Sequence, residues 1–204
     1  MTEDDIHKPW DARLAARLVT PLRDSPVTPN HLTTLRLLAG MLACAAFTVG
    51  DYRWTNVGAA CFVVSNFLDH ADGELARLTG KVSRFGHQYD LACDALTNIL
   101  LFVGIGLGLP DDSLDMPGEL LGCLAGTAVA AIFHMRHAIE QAVGKAGARQ
   151  PHAGVMEAED VLYLLPLVTL SDQLQPFLIL AGVGAPVFAL WVLRQYLALG
   201  HRPA

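Results

Sequence analysis

Five stretches of this chain, near His31–Gly50, Trp54–Leu78, Gly86–Leu109, Leu120–Ile139 and Pro176–Leu199, are each long and apolar enough to cross a bilayer as a helix, which takes ~20 such residues. Charged connectors separate them. A shorter run, Val161–Leu170, is on length alone either a further span or a buried re-entrant piece. Backbone polar groups in lipid must be satisfied within the segment, so stretches of this length are helices. With 52 % of its 204 residues hydrophobic and 17 % charged, the chain is too apolar for an ordinary soluble domain. The expected fold is an all-α integral membrane bundle.

The placement of positive charge sets the expected topology, because short cytoplasmic loops keep Lys and Arg. If six segments cross, one side collects Lys8, Arg13, Arg17, Arg23, Arg77, Lys81, Arg84, Lys145, Arg149 and Arg202, with Arg36, Arg136 and Arg194 near the inner helix ends. Thirteen of the fourteen basic residues then share one side, and only Arg53 lies outside. The outer connectors carry Asp51, Asp111, Asp112, Asp115, Glu119 and Asp172. Five spans would move Arg194 and Arg202 outside. Six transmembrane helices with both termini cytoplasmic is the expectation, and Thr2-Glu3-Asp4-Asp5 lacks the basic opening of a secretory signal.

Ahead of the first span, Trp10, Leu14, Leu18 and Leu22 recur every fourth residue with Arg13, Arg17 and Arg23 between them, the pattern of an amphipathic helix. Such a helix lies on the inner membrane surface or packs on the protein's own cytoplasmic face. Residues 1–28 thus form a juxtamembrane segment and 29–204 the membrane domain. Pro21, Pro26 and Pro29 break the chain before Asn30, placed to cap the first span. Gly144–Gly154 reads as a cytoplasmic loop. Cys44, Cys61, Cys93 and Cys123 sit in apolar segments at irregular spacing and read as packing residues. A net charge of −6, with no basic stripe, excludes a nucleic-acid partner.

The chemistry is concentrated where the second span joins the third. Asp69, Asp72 and Ala76 fall at i, i+3 and i+7 on one helix face, with Gly73 beside them. Gly86, Asp90 and Asp94 repeat at i, i+4 and i+8 on the next helix, which returns antiparallel after a short turn. All four carboxylates therefore come to a similar depth near the cytoplasmic side and can converge. Clustered carboxylates in a membrane bundle repel one another and resist desolvation, so cations must compensate them or protons neutralise them. All-oxygen ligation favours hard ions such as Mg²⁺, Mn²⁺ or Ca²⁺ over zinc. His70 lies about 100° around the helix from Asp69 and is not expected as a ligand. Gly73, Ala76 and Gly86 clear room for a substrate at the same face, or simply permit tight helix packing. Arg77 can pair with a phosphate or snorkel to the interface.

These residues match the signature of the CDP-alcohol phosphotransferase (phosphatidyltransferase) family, here Asp69-x2-Asp72-Gly73-x2-Ala76-Arg77-x8-Gly86-x3-Asp90-x3-Asp94, with every fixed position present. Pro29-Asn30-x2-Thr33-x2-Arg36 at the first span resembles a second pattern common in the family. The resemblance implies that Asp69, Asp72 and Asp90 hold one or two divalent ions, usually Mg²⁺ or Mn²⁺. It implies that Asp94 is the general base and touches a metal as well. It implies that Asp69, Asp72, Gly73, Ala76, Arg77 and Gly86 form the CDP site, in a homodimer of the inner membrane. The implied reaction passes a substituted phosphate group from a CDP-activated donor to an alcohol hydroxyl and releases CMP.

Within such a family the donor is CDP-diacylglycerol with a small polar alcohol as acceptor, the commoner arrangement, or a CDP-linked polar alcohol with a lipid acceptor. A phosphorylated acceptor would need basic partners, for which Arg84, Arg136, Lys145 and Arg149 are the cytoplasmic candidates. Glu74 after Gly73 is similar to inositol-phosphate-type members. The competing class is a divalent-cation transporter, which predicts acids at several depths, whereas the other apolar spans have no comparable interior acid.

Overall fold

The structure is a computed structural model that describes residues 10–110, 116–147 and 160–199. Its helices are α1 (Trp10–Val19), α2 (Pro29–Thr48), α3 (Tyr52–Thr79), α4 (Arg84–Gly108), α5 (Gly118–Gly147), α6 (Leu165–Leu170) and α7 (Leu174–Leu199), with 3-10 turns at Thr20–Leu22 and Asp160–Leu164. No strand occurs among the described residues.

Local chemistry sets the helix ends. Thr28 is extended, as a residue before proline prefers, and Pro29 takes the first helical position of α2, where its missing N–H costs nothing. The helix therefore starts one residue before Asn30, and Thr28, not Asn30, is the cap residue; its N–H donates to His31 Nδ1 at 3.2 Å. Asp51 caps α3, its Oδ1 accepting from Arg53 N–H at 2.6 Å. Gly80, at φ 66°, takes the left-handed conformation that stops α3. Three residues later Ser83 Oγ accepts from Gly86 N–H at 2.9 Å and opens α4. A tight turn between two acid-bearing helices results.

Among the described residues four helices are long and apolar enough to cross a membrane: Pro29–Thr48, Arg84–Gly108, Gly118–Ala142 and Leu174–Leu199. At 28 residues, about 42 Å, α3 is longer than most, but Asp69, Asp72, Glu74 and Arg77 load its second half with charge. The run Val161–Leu170 is realised as the 3-10 turn and α6, five residues followed by six, short of a full crossing. Leu162 and Tyr163 nevertheless border Asp69 and His70, while Leu170 O accepts from the Tyr52 hydroxyl at the opposite end of α3, 3.2 Å away. This segment thus climbs α3 from the acids to its far end.

The core between α2, α3, α4, α5 and α7 contains Phe47, Phe62, Leu101, Phe102, Ile105, Leu121, Leu165 and Leu178. Leu42 on α2 and Leu180, Val187 and Leu190 on α7 are exposed, as lipid-facing side chains are. Lipid offers apolar side chains no gain on helix association, so the helices must approach closely to profit from packing. At Gly104 an added Cβ would lie 2.8 Å from Cys44 O and 2.9 Å from Cys44 Cα. Gly104→Val is therefore expected to destabilise by about 1–3 kcal/mol through overpacking. Gly184→Ala, with no atom beyond its own helix backbone within 4 Å of the new Cβ, should not lower the melting temperature of detergent-solubilised protein.

Helix α1 forms where the periodicity places it, but a different face packs. Ala15 and Val19 are buried, with Leu22 behind them, against Ala71, Leu75 and Leu78 of α3, whereas Leu14 and Leu18 point outward. The small and branched side chains allow close approach, and the two leucines are left for the surroundings.

Candidate active site

Three helices converge on one cluster. α3 supplies Asp69 and Asp72, and α4 supplies Asp90 and Asp94. From α2 come Thr33 and Arg36, one turn apart. Thr33 Oγ1 donates to Asp72 Oδ2 at 2.6 Å, and Asp72 is only 5 % exposed. Arg36, buried at 3 % exposure, directs Nη1 to Asp69 Oδ1 at 2.5 Å and to Asp90 Oδ1 at 2.9 Å, and pairs through Nη2 with Asp94 Oδ1. Ser65 Oγ donates to the Arg36 carbonyl at 3.0 Å, which ties the α2 backbone to α3 at the same level.

When all four carboxylates are ionised, one guanidinium leaves three negative charges in a partly buried space, and such an excess attracts further cations. One oxygen each from Asp69, Asp72 and Asp90 lies within 4.8 Å of the others. Oxygens that share one ion at the 2.0–2.6 Å bond lengths of Mg²⁺ or Ca²⁺ stand no more than about 5 Å apart, so the triplet fits a hard divalent cation. Among the described residues Asp94 stands outside this triplet. Its carbonyl is held by Asn98 Nδ2 at 3.0 Å.

Two cavities flank the cluster. The smaller, about 140 Å³, is bordered by Asn30, Thr33, Asp72, Gly73, Ala76, Lys81, Ser83, Gly86, His87 and Asp90. The larger, about 450 Å³, lies between α4 and α5 and is bordered by residues including His87, Asp90, Asp94, Asn98, Thr127, His134 and His137. His87 and Asp90 border both. Two compartments thus meet at the acids.

Gly73, Ala76 and Gly86, expected from the sequence to clear space, line the smaller cavity. A Cβ at Gly86 would come within 3.0 Å of Asn30 Oδ1, so any side chain there displaces Asn30. Arg77 does not line it: its side chain is 62 % exposed, folds back over Gly73 and pairs with Glu74 Oε1 at 2.9 Å. Arg84 is exposed on the first turn of α4 and Arg136 is half-buried on α5, and neither borders either cavity. The side chain of Lys145 and all of Arg149 lie outside the described residues.

Arg36, expected as a charge near the inner helix end, instead turns into the bundle. It is the residue that the sequence reading most underrates, together with Thr33, Asn30, Asn98 and the three histidines. A signal for part of this was present: Thr33 and Arg36 lie one turn apart on one face of α2, within the pattern Pro29-Asn30-x2-Thr33-x2-Arg36.

The sequence profile of the CDP-alcohol phosphatidyltransferase family matches residues 26–192. The archaetidylinositol phosphate synthase of Pyrococcus horikoshii is 38 % identical over 92 residues, 45 % of this chain and 47 % of that protein, so the match spans about half the length of that relative. The phosphatidylinositol phosphate synthase of Corynebacterium glutamicum is 30 % identical over 188 residues, covering 87 % of this chain and 74 % of that one. The CDP-diacylglycerol–glycerol-3-phosphate 3-phosphatidyltransferase of Rickettsia felis is 32 % identical over 68 residues, 33 % of this chain and 38 % of that protein. The crystal structure of the Mycobacterium tuberculosis phosphatidylinositol phosphate synthase with CDP-DAG bound has the same fold, with a TM-score of 0.63, 20 % identity and coverage of 94 % of this chain and 99 % of that one.

Proposed function

The chain belongs to the CDP-alcohol phosphatidyltransferase family, a multi-pass membrane transferase of substituted phosphate groups, and from that premise we propose that it moves a phosphatidyl group from CDP-diacylglycerol to a hydroxyl of a phosphorylated small polyol. The observation that carries this reading is the meeting of two cavities at Asp90, beside the carboxylates that would hold metal and next to Asp94. The names of the relatives support a phosphorylated acceptor, since they make inositol phosphate lipids or act on glycerol 3-phosphate.

In this reading the smaller cavity takes the CDP group. Gly73, Ala76 and Gly86 leave room for it, and Lys81 and Asn30 offer donors to its phosphates. Asp69, Asp72 and Asp90 would hold Mg²⁺ or Mn²⁺, which when bound offsets the charge of the pyrophosphate and of the departing CMP. Thr33 and Arg36 fix the directions of those carboxylates. Asp94 accepts the proton of the acceptor hydroxyl as its oxygen bonds to the phosphorus that carries diacylglycerol. The bond from that phosphorus to the CMP oxygen breaks as the new one forms.

The proposed setting is a homodimer in the cytoplasmic membrane, with six passes, both termini and the acids on the cytoplasmic side, and α1 at the interface. Support for a sixth pass comes from the path of residues 162–170 along α3, and support for α1 from its outward Leu14 and Leu18.

The test is purified protein with CDP-diacylglycerol and a panel of alcohols, following CMP. Release is expected to need both acceptor and Mg²⁺ or Mn²⁺, and to fall to background in EDTA. Turnover that survives chelation, or release only from a CDP-linked polar alcohol with diacylglycerol as acceptor, would sink the reading.

A further inference from the structure

We propose that the larger cavity between α4 and α5 holds the phosphate of the acceptor, and that His87, His134 and His137 are its recognition residues. This rests on the function proposed above and assigns the specificity of the same site. The cavity reaches Asp94, the proposed base, and shares His87 and Asp90 with the compartment assigned to the donor. Whatever occupies it therefore faces the reacting phosphorus across Asp90.

Its polar lining has two unlike ends. Toward the start of α4 stand three imidazoles from two helices: His134 and His137, one turn apart on α5, and His87, whose ring centroid is 5.3 Å from that of His137. No Lys or Arg among the described residues borders the cavity, and the basic side chains that do border it are these three imidazoles. Gln141 Nε2 lies 2.8 Å from His137 Nε2. That contact engages one ring nitrogen of His137 and leaves the tautomer open.

The deeper end offers an acceptor. Asn98 is 5 % exposed, and its Nδ2 is committed to the Asp94 carbonyl at 3.0 Å. Asp94, which borders this end, is the acceptor that meets a ligand hydroxyl. Imidazole donors at one end and the Asp94 carboxylate at the other are complementary to a polyol monophosphate: phosphate against the histidines, the reacting hydroxyl against Asp94. A volume of about 450 Å³ is within the usual range for sites of small ligands.

The experiment uses the full chain in detergent with CDP-diacylglycerol and Mg²⁺. Its acceptors are sn-glycerol 3-phosphate and myo-inositol 1-phosphate against free glycerol and free inositol. The His134→Ala/His137→Ala double variant is expected to raise the KM of the phosphorylated acceptor by at least roughly tenfold, the loss of one good hydrogen bond to a charged group. The donor KM should stay within about twofold on the same grounds, since no donor contact is removed. His134→Gln/His137→Gln, which keeps side-chain N–H donors, should recover part of the loss, and Arg194→Ala, exposed on α7 and bordering neither cavity, should leave the acceptor KM unchanged. Calorimetry without donor should show glycerol 3-phosphate binding to wild type and not to the double alanine variant.

The proposal is overturned if the double variant keeps its acceptor KM while wild type turns over. It is equally overturned if Arg136→Ala raises that KM instead, or if free polyols serve as well as their phosphates. A wild type that releases no CMP with any acceptor yet binds glycerol 3-phosphate through these histidines would remove the parent reading and leave the anion site standing.

Discussion

Asp94→Asn is expected to lower turnover by a factor of roughly 10² to 10⁴, the usual worth of a positioned general base, while the protein stays folded. The amide has the size of the carboxyl, and its oxygen can still accept from Arg36 Nη2 as Asp94 Oδ1 does. The hydrogen bond from Asn98 runs to the backbone carbonyl of residue 94 and is untouched. Asp69, Asp72 and Asp90 keep their oxygens within 4.8 Å of one another, so binding of the ion should survive. What an amide lacks is the ability to take the hydroxyl proton. CMP release at saturating donor and acceptor, with melting curves with and without Mg²⁺, separates loss of the proton acceptor from loss of the metal or the fold. Full turnover by Asp94→Asn would end its assignment as the base.

Arg36→Met should have the largest effect on stability, and one that depends on metal. Removing one partner of a buried ion pair costs about 3–5 kcal/mol, because the charge left behind has no compensation. Here three carboxylates lose the same partner. In chelator the variant is therefore expected to melt well below wild type. Mg²⁺ or Mn²⁺ should raise its melting temperature by more than it raises that of wild type, since the ion no longer shares oxygens with a guanidinium. Arg36→Lys should fall between, because one ammonium cannot present the planar fork that reaches three acids. Identical melting of Arg36→Met and wild type in chelator would show that the cluster is compensated in some other way.

The acids were legible because everything needed to bring them together is local. Spacings of three and four residues put each pair on one helix face, and Gly80 and Ser83 make a turn short enough to hold the two faces opposite each other. The approximate helix extents were legible too: α2, α3, α4 and α7 begin and end within two residues of the stretches read from the sequence, whereas α5 runs eight residues past its stretch. Arg36 was not, because an arginine seven residues inside a span has the same sequence signature whether it reaches outward to the interface or inward to acids 33 to 58 residues away. The histidine wall depends on how α5 lies beside α4, a relation that neither helix encodes alone. For α1 the period marked the outward Leu14 and Leu18 but not the face that packs on α3. Large side chains dominate a hydrophobic period, and here Ala15 and Val19 make the contact.

The position of Arg36 also bears on how the chain is made. A carboxylate or arginine at the middle of a lone transmembrane helix costs about 2.5–3.5 kcal/mol on insertion, and the α3–α4 hairpin brings four such carboxylates. Arg36 precedes all of them in the sequence. During synthesis the partly compensating charge is therefore already in the membrane when the hairpin arrives, and docking on α2 offsets one of the four negative charges before any metal is met.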